Sequence, residues 1–255
     1  MADTPAYTTI AQELRNGIVD GTYPPGSTLP TLAELTQRYG VSKQTVQNAI
    51  RVLAEEGLAE PVRRRGTVVR AAPARELIVR ERRVFRDERG YFFDKTAQGW
   101  VAVEKPTVRS ALPPSDLASL LETEPGQPVV IRDRVMGDAE TGEVRHVSLS
   151  YLPPWLVEQL PVLGSADTGP GGIYDRMEDH GLGPLAWEER LGARPPSARE
   201  RGLWALAPGT PVLRLLRITR SDTRRVCEIN ETVLRADRYE IGYPLQRTTT
   251  ERPSR

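Results

Sequence analysis

Between Thr28 and Val69 the 255-residue chain reads TLPTLAELTQRYGVSKQTVQNAIRVLAEEGLAEPVRRRGTVV, and this block constrains its fold more than any other. Thr31 stands three residues before Glu34, the spacing of a capping box. In such a box a hydroxyl and a carboxylate satisfy two backbone N–H groups that a helix start leaves without partners. Leu32, Leu35 and Tyr39 follow at helical spacing. Gly40 ends that helix, because glycine enters the left-handed C-cap conformation without strain. Val41 begins a tight turn, and Ser42 is a good N-cap for a second helix. Its apolar stripe is Val46, Ala49, Ile50 and Leu53, and Gly57 closes it. From Ala59 to Val69 two short β-prone runs flank Arg63-Arg64-Arg65-Gly66.

Helix, tight turn, helix and basic hairpin, in that order, predict a winged helix-turn-helix. Apolar stripes alone would predict only packed helices; the capping box, the Gly-Val-Ser turn, the polar face and the basic wing together point to DNA. Lys43, Gln44, Gln47 and Asn48 fall on the non-core faces near the N-terminal end of the second helix, where a recognition helix meets base edges. Glutamine and asparagine can pair bidentately with adenine, each such pair contributing about 1–3 kcal/mol of discrimination. Arg63, Arg64 and Arg65, with Gly66 and Thr67 beside them, suit phosphate or a minor groove. Thr31, Ser42 and Thr45 complete the candidate DNA contacts at the two helix starts.

Ahead of this block, Ile10, Leu14 and Ile18 recur at i, i+4, i+8 on a first helix that Gly21 terminates, and Tyr23-Pro24-Pro25-Gly26 is a rigid turn. Residues 1–70 carry eight Lys+Arg against seven Asp+Glu, and the whole chain has a net charge of +1. That balance argues against broad coating of DNA. Positive charge is instead placed locally, at Lys43, Arg51 and the 63–65 triplet.

Residues 7 to 70 resemble the DNA-binding domain of GntR-family bacterial transcription regulators. The matching pieces are Tyr23-Pro24-Pro25-Gly26-Ser27-Thr28-Leu29-Pro30, Gly40-Val41-Ser42-Lys43-Gln44-Thr45-Val46, Leu53-Ala54-Glu55-Glu56-Gly57-Leu58 and Arg65-Gly66-Thr67-Val68-Val69. The resemblance also marks two departures: Ala33 and Gln47 stand where the family usually carries arginine, a residue that there tends to hold phosphate or guanine.

Ala71-Ala72-Pro73-Ala74 carries no periodic pattern and marks a boundary. The expected organisation is a DNA-reading domain at 1–70, a linker at 71–77 and a second domain at 78–250. In the second domain alternation dominates. Val129, Ile131 and Val135 share one strand face and Arg132 and Arg134 the other. A turn at Asp138 to Glu143 leads to a partner strand reaching Tyr151. Val212–Thr219 and Val226–Leu234 form a second hairpin, and Leu185, Trp187, Glu189 and Leu191 share one face of a further strand. Short helical patterns lie at Pro114–Leu121, Pro154–Leu160, Gly172–His180 and Ala198–Leu206. Gly164 to Gly172 is loop-like. Hairpin strands interleaved with short helices predict an antiparallel α+β domain.

This half resembles the UTRA effector domain of the HutC subfamily, which has a chorismate-lyase-like fold. The matching pieces are Val130-Ile131-Arg132-Asp133-Arg134, Ser150-Tyr151-Leu152-Pro153, Ala205 to Pro211 with Val212-Leu213, Glu228, and Arg235-Ala236-Asp237-Arg238-Tyr239. The expected fold class is therefore α+β, an N-terminal winged helix-turn-helix plus a C-terminal antiparallel-sheet chorismate-lyase-like domain. The resemblance implies a homodimer whose geometry responds to a small effector, often a phosphorylated sugar or a carboxylate. Arginine forks match such anions bidentately. The candidate effector residues are Arg132, Arg134, His146, Ser148, Tyr151, Glu228 and Asn230; Ser148 stands where the family often has glutamate.

The rest is exclusion. One cysteine, Cys227, rules out a disulfide framework within the chain and zinc-ribbon spacing. No apolar run has transmembrane length and the N-terminus lacks a signal pattern, so no membrane partner and a cytoplasmic location are expected. His146 and His180 have no nucleophile motif beside them, and Lys95 and Lys105 sit in no cofactor box. No catalytic residue, metal or cofactor is expected. The function expected is a DNA-binding repressor released from a palindromic double-stranded operator by its effector. The alternatives are a chorismate-lyase-like enzyme retaining a DNA-binding domain and a ligand-independent repressor of plasmid-transfer type.

Overall fold

The computed structural model describes residues 5–71, 75–81, 84–87, 90–92, 100–169, 172–206 and 208–245. The chain divides into two compact units, Met1–Ala74 with Arg194–Val212, and Arg75–Ala193 with Leu213–Arg255. Parts of the expected linker (72–74), of the loop-like stretch (170–171) and of the second domain's end (246–250) lie outside the described residues.

The first unit holds α1 (Ala6–Val19), α2 (Leu32–Tyr39), α3 (Lys43–Glu55), and a hairpin of β1 (Ala59–Val62) and β2 (Gly66–Val69). The capping box at Thr31 and Glu34 is complete, with the Thr31 side chain accepting from Glu34 N and the carboxylate accepting from Thr31 N at 2.7 Å. Ser42 caps α3 through Thr45 N. Gly40 takes the left-handed conformation at φ 62°. Ile10, Ala11 and Leu14 of α1 pack with Leu35, Val46, Ala49 and Leu53 into one core. Burying each of the larger aliphatic chains contributes about 1.5–3 kcal/mol. The Pro24-Pro25-Gly26 turn does more than redirect the chain. Gly26 N donates to Val69 O, Val69 N to Ser27 O, and Leu29 N to Thr67 O, so residues 26–29 lie along β2 as a third, short strand of the wing.

A further helix, α7 (Ala198–Trp204), also opens on a capping box, Ser197 with Glu200. Both Glu200 oxygens also accept from Arg194, at 2.7 Å each.

The second unit is built on a seven-stranded sheet. Its strands are β6 (Trp100–Ala102), β7 (Thr107–Ala111), β8 (Val129–Asp138), β9 (Val144–Leu152), β10 (Ala186–Arg194), β11 (Val212–Arg220) and β12 (Val226–Arg235). The order is β10-β11-β12-β9-β8-β6, with β7 also paired to β8. The β8–β9, β9–β12, β6–β8 and β7–β8 pairings are antiparallel. The helical patterns become α4 (Ser115–Leu121), α5 (Pro154–Gln159) and α6 (Gly172–Asp179). Leu117 and Leu121 of α4 cover one sheet face through Ile131, Tyr151, Ile218 and Ile229. A second cluster gathers Leu156, Leu163, Ile173, Tyr174 and Met177 from α5, the 3-10 turn Pro161–Gly164 and α6.

Two strand pairs have no counterpart in the alternation pattern. One is a short antiparallel hairpin of β4 (Phe85–Asp87) and β5 (Gly90–Phe92). The other joins β3 (Glu76–Val79) to β13 (Tyr239–Gly242) in parallel, with Glu76 opposite Tyr239. The β8–β9 register shifts between Met136 and Gly137, and a Cβ on Gly137 would stand 2.3 Å from Glu143 O, so only glycine fits there.

Candidate nucleic-acid interface and effector site

The winged unit presents a cleft of about 960 Å³ between the wing, α2 and the start of α3. Thr31 and Lys43 line it from the helix starts, and Arg63, Arg64, Arg65, Gly66 and Thr67 line it from the wing. The structure thus gathers seven of the DNA candidates around one opening. Leu32, Ala33, Thr36 and Gln37 line the same cleft from α2; helical periodicity could have placed Ala33 and Gln37, which are four residues apart on the face away from the buried Leu35. Gln44, Gln47 and Asn48 stand outside it on α3. Gln47 is exposed, whereas Gln44 Nε2 donates to Asn48 Oδ1 at 3.2 Å, so those two side chains are ordered as a pair. The Ser42 and Thr45 hydroxyls lie 2.9 Å apart and serve the α3 cap. At the wing tip Arg65 N closes a turn onto Val62 O, and Arg64 is held at φ 66°, a conformation L-residues avoid.

In the second unit, β8, β9 and β12 bring a polar group to the centre of one sheet face. Arg132 and Arg134 lie opposite Ser150 and Ser148, and Asn230 and Thr232 lie opposite the same two serines from the other side. Arg134 Nη2 donates to Ser148 Oγ (3.1 Å) and Ser150 Oγ (3.2 Å). Asn230 Nδ2 donates to both as well, at 2.9 and 3.0 Å. Arg132 is 5% exposed and donates to the carbonyls of Leu163 (2.8 Å), Ser165 and Ala166 (3.1 Å). Burial, with the like charge of Arg134, pulls its pKa below the usual arginine range, and Glu228 and Asp167 oppose that shift. Among the described residues neither guanidinium has a carboxylate at ion-pair distance; their acceptors are neutral oxygens. Glu228 accepts from Tyr174 OH at 2.5 Å and Thr219 Oγ1 at 3.1 Å.

Two expectations need adjustment. Tyr151 is corrected out of the polar group. It follows Ser150 by one residue, so the pleat turns it to the opposite face, where its hydroxyl donates to Glu231 at 3.3 Å inside the apolar cluster over α4. Burial there, then Glu231, push the phenol pKa well above its ordinary value. His146 shares the face with Ser148 but stands at its margin, its ring 5.1 Å from that of Trp100. Ser150, Thr219 and Tyr174 were not foreseen. Ser150 was within reach of the alternation that marks His146 and Ser148, whereas Thr219 and Tyr174 arrive from β11 and α6.

The sequence matches the model of the bacterial regulatory proteins of the gntR family over residues 6–69, and that of the UTRA domain over residues 107–240. The chain belongs to the GntR family. An HTH-type transcriptional regulator of Streptomyces coelicolor is 30% identical over 94% of this chain and 92% of its own length. The HTH-type transcriptional repressor NagR of Bacillus subtilis is 25% identical over 95% of this chain and 96% of its own. A crystal structure of a GntR-family transcriptional regulator, 31% identical, superimposes with a TM-score of 0.70 over 96% of this chain and 99% of that one.

This GntR-family chain is a ligand-responsive DNA-binding transcription regulator, and its relatives are named as regulators rather than enzymes, which sets the lyase alternative aside. Burial pushes the Cys227 thiol up to about 11, which leaves it a packed core group. Among the described residues no group of three or more His, Cys, Asp and Glu is placed to hold a metal, and no helix is long and apolar enough to cross a membrane.

Proposed function

We propose that the protein is a cytoplasmic homodimeric repressor of the HutC subfamily, released from a palindromic operator by an anionic effector, a phosphorylated sugar or a carboxylate. The observation that carries the effector class is the pair Arg132 and Arg134, two guanidiniums on one sheet face held by neutral oxygens alone. Positive charge held away from bulk water, with no carboxylate at ion-pair distance among the described residues, favours an anion. The serines add to it. A hydroxyl offers two lone pairs and one hydrogen. Arg134 and Asn230 fill the lone pairs of Ser148 and Ser150, so both hydroxyl hydrogens are left to donate to an anion.

On the DNA side, the exposed Lys43, Gln44 and Gln47 read base edges and the wing arginines hold backbone phosphates. Two such units in a dimer reach half-sites about 34 Å apart, one turn of DNA. The effector acts by preferring a dimer geometry with a different spacing, so DNA and effector weaken each other's binding by the same factor. That NagR is named a repressor supports the sign of the response.

The test couples two measurements on the full chain. A thermal-shift screen of sugar phosphates and carboxylates should find anions that raise the melting temperature, since a ligand at a hundred times its Kd adds about 2.7 kcal/mol of stability. Those anions should dissolve a discrete gel-shift complex with the upstream region of the protein's own gene. A complex that every stabilising anion leaves intact would refute the repressor reading.

A further inference from the structure

Glu228 is 1% exposed and uses only one of its oxygens. Oε2 accepts from Tyr174 and Thr219, while Oε1 is buried with no hydrogen-bond partner among the described residues. A bare buried carboxylate oxygen is costly until a donor reaches it.

A second buried charge cluster begins on the neighbouring strand. Glu189 of β10 accepts from Arg217 of β11, at 2.9 Å from Nε and 2.8 Å from Nη2. The same carboxylate accepts from Arg80, at 3.2 Å from Nε and by a closer Nη2 contact. The Arg80 and Arg217 side chains are 6% and 12% exposed. Arg217 and Thr219 are two apart on β11 and so share a face. Burial works against the Arg217 charge, but Tyr174 and Glu189 outweigh it. Trp187, two residues before Glu189, meets the Tyr174 ring edge-on at 5.8 Å. Glu228, Tyr174 with Thr219, Arg217, Glu189 and Arg80 therefore form one run of two carboxylates and two guanidiniums.

The run ends where the chain enters the second unit. Arg80 directly follows β3, and Arg80 N donates to Gly242 O of β13 at 2.8 Å. β3 begins at Glu76, just after the winged unit's N-terminal segment ends at Ala74.

We propose that this run transmits effector occupancy from Glu228 to β3, the strand that leads from the DNA-reading unit, and that the effector triggers it with a hydroxyl or ammonium donor on Glu228 Oε1. The proposal rests on the effector reading above. A donor at Oε1 draws the carboxylate from Tyr174 and Thr219. Tyr174 shifts against Arg217, and Glu189 divides its hold differently between Arg217 and Arg80. Buried polar networks carry such changes because their members polarise one another and have few alternative partners. An anion without a donor would fill the arginines and leave β3 unmoved.

Amide hydrogen exchange on the full chain tests this without any ligand. Glu228→Gln should change exchange of the β3 amides and of Arg80 N about fivefold, and that change should vanish in a Glu189→Gln background, since groups in one network do not add. Amides of β9 serve as the control for general loosening. Unmoved β3 amides, additive effects of the two substitutions, or an equal change in β9 would each overturn the relay. Thr219→Val, which keeps the shape and removes one hydroxyl link, replaces Glu228→Gln if that variant does not fold. Calorimetry with glucose 6-phosphate on the same proteins tests the effector reading separately: coupled β3 amides without anion binding keep the relay and remove that effector class.

Discussion

Arg134 and Asn230, on strands that flank β9 from opposite sides, donate to the same two hydroxyls, Ser148 and Ser150. Ser150 is fully buried and its oxygen serves two donors, so its loss leaves both short of an acceptor. Ser150→Ala should therefore lower stability by about 1–3 kcal/mol, the cost of leaving buried donors short of an acceptor. Urea melts read this directly. Ser150→Cys, which keeps a weak acceptor, should lose less; equal stability of all three proteins would mean that the shared hydroxyls hold nothing together.

Arg132→Gln should weaken an anionic effector by about 10- to 100-fold, the worth of one or two charge-assisted hydrogen bonds. Operator affinity without effector should stay the same, because Arg132 lies in the second unit. Tyr151→Phe is the matched control, since that hydroxyl serves Glu231 on the opposite face. Isothermal titration separates the outcomes: a Tyr151 effect as large as the Arg132 effect would place the ligand elsewhere.

Local chemistry explains what could be read in advance. The Thr31–Glu34 box, the Ser42 cap and Gly40 act within a few residues, and each holds in the structure. Arg132 and Arg134 were legible as partners because a strand repeats every two residues. The same rule shows why Tyr151 was misplaced: grouping it with Ser148 combined residues of opposite parity. Pairings made at long range left no local trace. β3 finds β13 only after the whole sheet intervenes, and Thr28 meets Val68 across both helices of the reading head. Thr219 and Tyr174 reach Glu228 from separate elements, and nothing in their own neighbourhoods announces it.

Ala33 lines the cleft between wing and helices where the family resemblance leads one to expect arginine, and the opening of about 960 Å³ leaves room for a longer side chain. Ala33→Arg should tighten operator binding and steepen its salt dependence, the logarithmic slope growing by about 0.9 if one phosphate is engaged. Fluorescence anisotropy over a salt series measures both. A tighter complex with an unchanged slope would mean that the new arginine reads a base instead of the backbone.

On the proposed reading of the wing, Arg64 sets fold stability against DNA binding at a single residue. The wing turn holds it at φ 66°, where an L-residue carries about 1–2 kcal/mol of strain that glycine does not. Glycine gives part of that back through its freer unfolded chain. Arg64→Gly should thus leave the winged unit as stable or slightly more so. On that reading DNA binding should fall for every sequence alike, because a phosphate contact carries no base identity. The salt slope should drop by about 0.9 in step. Arg64→Ala separates the two effects, since it removes the charge but keeps the strain; it should bind DNA as weakly as the glycine variant and melt below it. Should alanine and glycine melt together, the left-handed turn is not where the strain resides, and should binding weaken at one operator only, Arg64 is a base reader.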